Sequence, residues 1–459
     1  MNEANKPTNN NRKKITMPLV LLIVGLFLGL SACDTDPIDD EFGQLVSGNH
    51  TEVQPEDPTD GTELEEDQTE PTEPTEPDVT EIRLQFGGDV FIHQGPLDVA
   101  RTGENTFDFR PFFTHIRPFL DGDFVMANME SPVDAFGNNQ SVAGWPYFNA
   151  PFEILDGLIY AGFNHMSTAN NHAFDKGFEG LLNTVQSFER AGLTHTGLNV
   201  DMDDFNTPTI IDVNGIQVGI LAYTDVINNQ GWALMPQSNW EFAVRRFESL
   251  NLNDMPRMVA DIADLRAAGA ELVVVSLHWG EEYVDEPTQM QRLIAAELSE
   301  AGADIIMGHH SKTVQPVEWH YREDGTRSLI MYSLGNFMVD QTRLFQNATT
   351  PNEVLYEGWN SGANTYFAGR TQFGMLVSLQ VTKDSYGNIT LGAADVLPTL
   401  CMRDFNGNTL GTIDGVSIMP LVGGELPDFV TDEEVRNWGR VAYEHIVSVV
   451  GRELIRTND

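Results

Sequence analysis

The feature that most constrains the fold is a unit that occurs twice. A helical pattern over 255–268 stops at Ala268-Gly269-Ala270 and gives way to an all-apolar run over 272–275. A second helical pattern over 289–301 stops at Ala301-Gly302-Ala303 and gives way to the run 304–307. Helices that alternate with buried strands imply a sheet covered by helices. The same alternation runs through the earlier chain. Residues 82–86 read as a strand, 112–120 as a short helix, 124–127 as a buried strand, 152–161 as a helix and 165–168 as a strand. Residues 177–191 are amphipathic, with Leu181, Leu182, Val185 and Phe188 at helical spacing, and Gly192 ends them. Residues 209–213 and 217–223 flank Asn214-Gly215 as a tight hairpin. From Phe373 the texture changes to hairpin-like runs, 374–381 and 389–397, and 433–454 closes the chain as a helix. Residues 340–368 are irregular and Asn-rich, which suits a lid or rim loop. The expected class is α/β, with one large domain over 82–459.

Six polar motifs follow six of the apolar runs. They are Gly-Gly-Asp (Asp89), Asn-Met-Glu (Glu130), Ala-Asn-Asn-His (Asn171, His172), Leu-His-Trp-Gly (His278), Gly-His-His (His309, His310) and Ser-Leu-Gly-Asn-Phe (333–337). In open α/β sheets, ligands bind beyond the carboxyl ends of the strands. Six segments thus deliver carboxylate, amide and imidazole to one rim, and these are ligands for divalent metals.

The motifs differ in weight. Gly-Asp is also a common turn, and Ser131-Pro132 lets Asn128 to Pro132 read as a plain turn. Asn171 offers a neutral oxygen ligand, or else caps the helix that follows. His172 beside it can exchange a proton without binding metal, with Asp175 three residues on to orient the ring. His278 ends an apolar strand, where a lone imidazole is often structural. Two adjacent imidazoles after Gly308 are harder to explain without a metal or an anion. His93, His115, His165, His195 and His320 have no comparable setting.

The N-terminus bears on location. Lys6, Arg12, Lys13 and Lys14 precede an apolar run over 17–30, then Leu30-Ser31-Ala32-Cys33. A run this short with basic flanks reads as a signal peptide rather than a span. The small residues before Cys33 resemble a bacterial lipobox, which implies cleavage before Cys33 and lipidation of its thiol. Residues 1–33 are therefore the expected leader, and the protein is expected outside the cytoplasm on a lipid anchor. Residues 34–81 hold eighteen Asp or Glu and no Lys or Arg, including Glu-Pro-Thr repeats over 70–77. Such a segment cannot bury enough apolar surface to fold and serves as an extended tether. The remaining 82–459 carries 49 acidic and 22 basic residues, net −27. That argues against nucleic acid and anionic lipid as general partners. Cys401 is the only cysteine besides Cys33, so no disulfide holds the domain together.

The order and approximate spacing of the six motifs over roughly 82–340 resemble the poly-γ-glutamate capsule synthesis protein CapA family. The resemblance extends to Asp175-x-Gly177 and Val314-Gln315. It implies a metallophosphoesterase-like two-sheet β-sandwich flanked by helices (αββα). It also implies divalent metal, with manganese, zinc or iron as candidates, held by Asp89, Glu130, Asn171, His278 and one or both of His309 and His310. His172 would be the proton donor. The family's last motif reads Gly-His-His-Pro-His, whereas here Ser311-Lys312 stands in place of Pro-His. Either one metal is kept, or Lys312 faces an anionic substrate group. The first motif also lacks the Asp-x-His of ordinary metallophosphoesterases. Three functions follow as expectations. The first is a surface protein of capsule or poly-γ-glutamate biogenesis, with that polymer and its synthesis complex as partners and a hydrolase-like site. The second is a surface phosphoesterase, and the third a non-enzymatic polymer-binding scaffold.

Overall fold

The structure, a computed structural model, describes residues 79–139, 141–339, 358–360, 365–367, 369–404, 415–431 and 433–456. The expected leader with Cys33, the tether up to residue 78 and most of 340–368 lie outside the described residues.

The chain builds two sheets. The strands are β1 (Thr80–Val90), β2 (Phe124–Met129), β3 (His165–Ser167), β4 (Thr194–Thr196), β5 (Thr209–Val213), β6 (Ile216–Thr224), β7 (Leu272–His278), β8 (Ile305–His309), β9 (Val317–Tyr321), β10 (Arg327–Met331) and β11 (Asn336–Met338). After them come a short ribbon, β12 (Gly358–Asn360) with β13 (Thr365–Phe367), then β14 (Phe373–Lys383), β15 (Ile389–Asp404) and β16 (Gly415–Pro420). One sheet runs β16-β15-β14-β1-β2-β3-β4, with β11 alongside β1; the other runs β5-β6-β7-β8-β10-β9. β1 to β4 are mutually parallel, as are β6, β7, β8 and β10. Each sheet is extended by antiparallel strands, β14 to β16 on one and β5 and β9 on the other.

The helices are α1 (Gln94–Ala100), α2 (Arg110–Phe113), α3 (Glu153–Ala161), α4 (Gly177–Ala191), α5 (Met202–Asn206), α6 (Asn229–Leu234), α7 (Met255–Ala267), α8 (Gln289–Glu300) and α9 (Glu433–Val450). Side-chain alternation sorts the strand residues into layers. Ile82, Leu84 and Phe86 of β1 face Val218, Ile220, Val274, Ile305 and Met307 of the other sheet, forming the central core. The opposite faces of β2 and β3, with Val125, Ala127 and Met166, pack on Phe112, Phe113, Leu155 and Leu158. Val273, Val275 and Ile306 pack on Met258, Ile262 and Leu265 of α7 and Ile294 and Leu298 of α8. Strands covered on both faces read as continuous apolar runs. The architecture is the expected αββα sandwich. Each fully buried Phe, Leu or Ile stabilises it by about 1.5–3 kcal/mol.

Most expected elements fall within a few residues of those observed. Two helices are shorter than expected. Over 112–120 the helix stops at Phe113 and a 3-10 turn, Arg117–Phe119, follows; Pro118 has no N–H to continue the ladder. The last helix stops at Val450, because Gly451 turns left-handed at φ 89° before a 3-10 turn. The hairpin turn is as expected, with Asn214 at φ 50° and Gly215 at φ 90°. Among the described residues no helix is long and apolar enough to cross a membrane.

Candidate metal centre

The parallel strands of both sheets end at the same edge, and glycine brings their tips close. A Cβ on Gly88 would lie 2.1 Å from the Gly335 carbonyl oxygen, and one on Gly308 would lie 1.9 Å from that of Tyr332. Only glycine permits backbones to approach so closely. The Asp89 amide then donates to Gly335 at 2.9 Å, and Asp89 pairs in register with Asn336. Asp89 thus sits inside the bulged end of β1, one step earlier than the expected position beyond it.

Asp89, Glu130 and His278 are buried and place one ligand atom each within 4.8 Å of one another. Around His278 Nε2 lie Asn171 Oδ1 at 2.9 Å, His310 Nδ1 at 3.1 Å and Glu130 Oε1 at 3.8 Å. His278 Nδ1 faces the Asn128 amide nitrogen at 3.5 Å. The spacing is that of donors about a single ion, since bonds of ~2.1 Å put neighbouring ligands about 3–3.5 Å apart. The residues therefore fit a divalent metal.

The other half of the centre gathers on Asp89. His309 Nδ1 lies 2.9 Å from Asp89 Oδ1, off the line of a hydrogen bond, so both ring nitrogens are buried without a hydrogen-bond partner. Asn128 donates to the same oxygen at 2.8 Å. Lys312 is buried and points inward; its ammonium pairs with both oxygens of Glu130 and lies 3.4 Å from Asp89 Oδ2. Against the cost of burial, Lys312 and His309 hold the Asp89 carboxyl well below its ordinary range. Burial, with Asp89 nearby, pushes the Glu130 carboxyl up despite Lys312. Burial is opposed by Glu130 and Asp89 at Lys312, which stays charged. Burial and then the neighbouring positive groups lower His278 and take His310 to about 3. Both imidazoles are neutral at neutral pH, as ligands must be.

His172 stands at the mouth. Its Nδ1 lies 2.7 Å from Asp175 Oδ2, and the Phe148 amide donates to the same oxygen at 2.9 Å. The Phe148 ring meets the imidazole edge-on at 4.7 Å. This pairing puts the free nitrogen, Nε2, on the side away from Asp175.

All the expected site residues from Asp89 to Lys312 lie in this one edge. Three residues were not singled out from sequence. Asn128 bridges Asp89 and His278, and Asn170 donates to it at 3.2 Å. Asn128 lies in β2 two residues before Glu130, which directly follows that strand, a spacing that sends both to the same side. Asn228 lies 3.2 Å from His172 Nδ1 and 3.4 Å from the Asn171 amide, in a segment with no motif. His93, which had no comparable setting in the sequence, packs on Phe148 at 5.3 Å beside this edge, and burial followed by Lys312 lowers it to about 3.

A family model described as "Bacterial capsule synthesis protein PGA_cap" matches residues 83–341. The chain is 32% identical to a capsule biosynthesis protein of Bacillus anthracis over 232 residues, 50% of this chain and 54% of that protein. It is 32% identical to a PGA biosynthesis protein of Bacillus subtilis (strain 168) over 231 residues, 50% and 57% of the two. The chain thus spans about half the length of the curated relatives it matches. A solved structure of Haemophilus influenzae NAD nucleotidase aligns over 83% of this chain and 65% of that one, at 12% identity and a TM-score of 0.38.

Proposed function

The chain belongs to the bacterial capsule synthesis protein family, and from that premise we propose that it serves the biogenesis of a poly-γ-glutamate or related surface polymer. We place it outside the cytoplasm on a lipid at Cys33, with a metal-dependent hydrolase-like site. The observation that supports a chemical role most is the convergence of Asp89, Glu130, Asn171, His278 and His310 from two separate sheets.

In this reading Asn171, Glu130, His278 and His310, with Asp89 adjacent, would hold a divalent metal, which supplies a Lewis acid and an activated water at a carbonyl or phosphoryl group. The chain's own residues do the rest. Asp175 fixes the His172 ring through Nδ1, so that Nε2 is the atom that carries a proton to a leaving nitrogen or oxygen. Phe148 holds both partners, through its amide and its ring. Asn128 and Asn170 keep Asp89 and His278 from turning away.

A second reading, a polymer-binding subunit without catalysis, rests on Lys312, which neutralises Glu130 from within. Purified protein incubated with manganese or zinc and offered γ-glutamyl amides and phosphate esters separates the readings. Turnover of the amide, lost on His172→Ala, supports the first. Turnover of phosphate esters alone transfers the site to phosphoesterase chemistry. Polymer binding with no turnover in any metal leaves the scaffold. For the anchor, Cys33→Ala should free the protein from the membrane fraction. Retention at wild-type level would remove that part of the proposal.

A further inference from the structure

The centre has two halves that share Glu130. One is Asn171, His278 and His310, in which His278 Nε2 faces Asn171 Oδ1 at 2.9 Å and His310 Nδ1 at 3.1 Å. The other is Asp89 and His309, and it already contains a cation. The Lys312 ammonium is paired with both Glu130 oxygens and approaches Asp89 Oδ2 at 3.4 Å. It lies 4.7 Å above the Phe91 ring, which walls off water on that side.

The loop is bent to aim these side chains. His310 has φ 90° and Lys312 φ 62°, two non-glycine residues in the left-handed region within three positions. Few side chains accept that conformation. Asn336 donates to the Lys312 carbonyl at 3.3 Å, and Ser311 Oγ to the Thr313 carbonyl at 2.7 Å, which hold the turn. The outcome is that His310 enters one half and Lys312 the other.

We propose that Lys312 is the permanent cation of the Asp89 half, and that a single divalent ion is held in the other half by Asn171, Glu130, His278 and His310. Charge supports this division. The ammonium already offsets one charge of the Glu130 and Asp89 pair, which leaves at most one negative charge for a divalent ion. A second divalent ion at Asp89 would share its carboxylates with an ammonium and repel it at close range. The inference rests on the reading of this centre as a metal site and assigns its stoichiometry and its ligands.

The test is metal content of the full-length chain after dialysis against manganese or zinc chloride, measured by elemental analysis. The expected result is one ion per chain in the wild type and two in Lys312→His. His310→Ala should bring the wild-type count to zero, while His309→Ala should leave it at one. Two ions in the wild type overturn the proposal. So does loss of the ion in His309→Ala with retention in His310→Ala, since that puts the ion at Asp89. One ion in both the wild type and a folded Lys312→His refutes the role of Lys312 and leaves the metal site standing. No ion in the wild type and one in Lys312→His keeps the role of Lys312 and removes the metal reading of the native centre. The wild-type, His309→Ala and His310→Ala measurements decide even where Lys312→His fails to fold.

Discussion

Lys312→Met keeps the length and the apolar stem of the side chain and removes only the charge. What remains is Glu130 and Asp89, both buried, with no ammonium between them. Removing one partner of a buried ion pair typically costs about 3–5 kcal/mol, because the other charge stays desolvated. The entropy of unfolding is ~2.1 cal/mol/K per residue, so a domain of roughly 380 residues unfolds with ~0.8 kcal/mol/K, and the cost becomes a fall in Tm of about 4–6 °C. The pH dependence has a definite sign. Glu130 is already pushed up in the wild type, and without Lys312 its folded pKa rises further above the unfolded value. A raised carboxyl binds its proton more tightly when folded, so its contribution is intact below the unfolded pKa and is lost as pH rises through the folded one. The deficit against wild type should thus be small near pH 4–5 and full near pH 8. Thermal melts in metal-free buffer at the two pH values measure it. Manganese or zinc at about a hundred times its Kd should then return up to ~2.7 kcal/mol. A deficit under ~1 kcal/mol at the higher pH, or one equal at both, would refute the pairing of this ammonium with buried carboxylates.

Three further outcomes follow from single contacts. Gly308→Ala sets a Cβ 1.9 Å from the Tyr332 carbonyl oxygen between two neighbouring strands, so it should destabilise by more than ~3 kcal/mol, read as loss of soluble protein or of the melting transition. Asp225 is largely buried, and burial raises its carboxyl to about 6, so its ionisation weakens the fold as pH rises from the unfolded pKa to that value. Asp225→Asn should therefore be more stable than wild type by about 1–3 kcal/mol near pH 7–8 and equal to it near pH 4, checked by denaturant unfolding. Asp175→Asn keeps the shape but not the charge that orients His172 through the 2.7 Å contact. It should cut any measured hydrolysis by about 10²–10⁴-fold while moving the melting midpoint little.

Much of this molecule can be read from its residues because burial and periodicity leave marks there. Residues 272–275 and 305–307 are apolar throughout since both faces of β7 and β8 are covered, and His278 and His309 are conspicuous because they interrupt that run at its end. The two sheets are a different matter. Nothing local to residues 82–86 says that they pair with 377–381, for strand order is decided by packing between distant segments. Asn228 escaped notice because its work is done by contacts to Asn171 and His172, 57 and 56 positions away. The inward aim of Lys312 depends on a left-handed backbone that no neighbouring glycine announces.

The pairing of β1 with β14 also sets a clock. Thr80 to Phe86 lie opposite Lys383 to Val377, so the strand that carries Asp89 waits for nearly three hundred further residues before its antiparallel partner exists. At a synthesis rate of ~5–20 residues per second that interval is on the order of 15–60 s. Through it the edge of β1 over Thr80 to Phe86 has no native partner from β14. The matched segment 83–341 ends before that partner begins. A chain stopped there would present an open strand edge along β1, a condition that promotes aggregation. The last fifth of the sequence therefore closes the sheet that holds the first acidic residue of the centre.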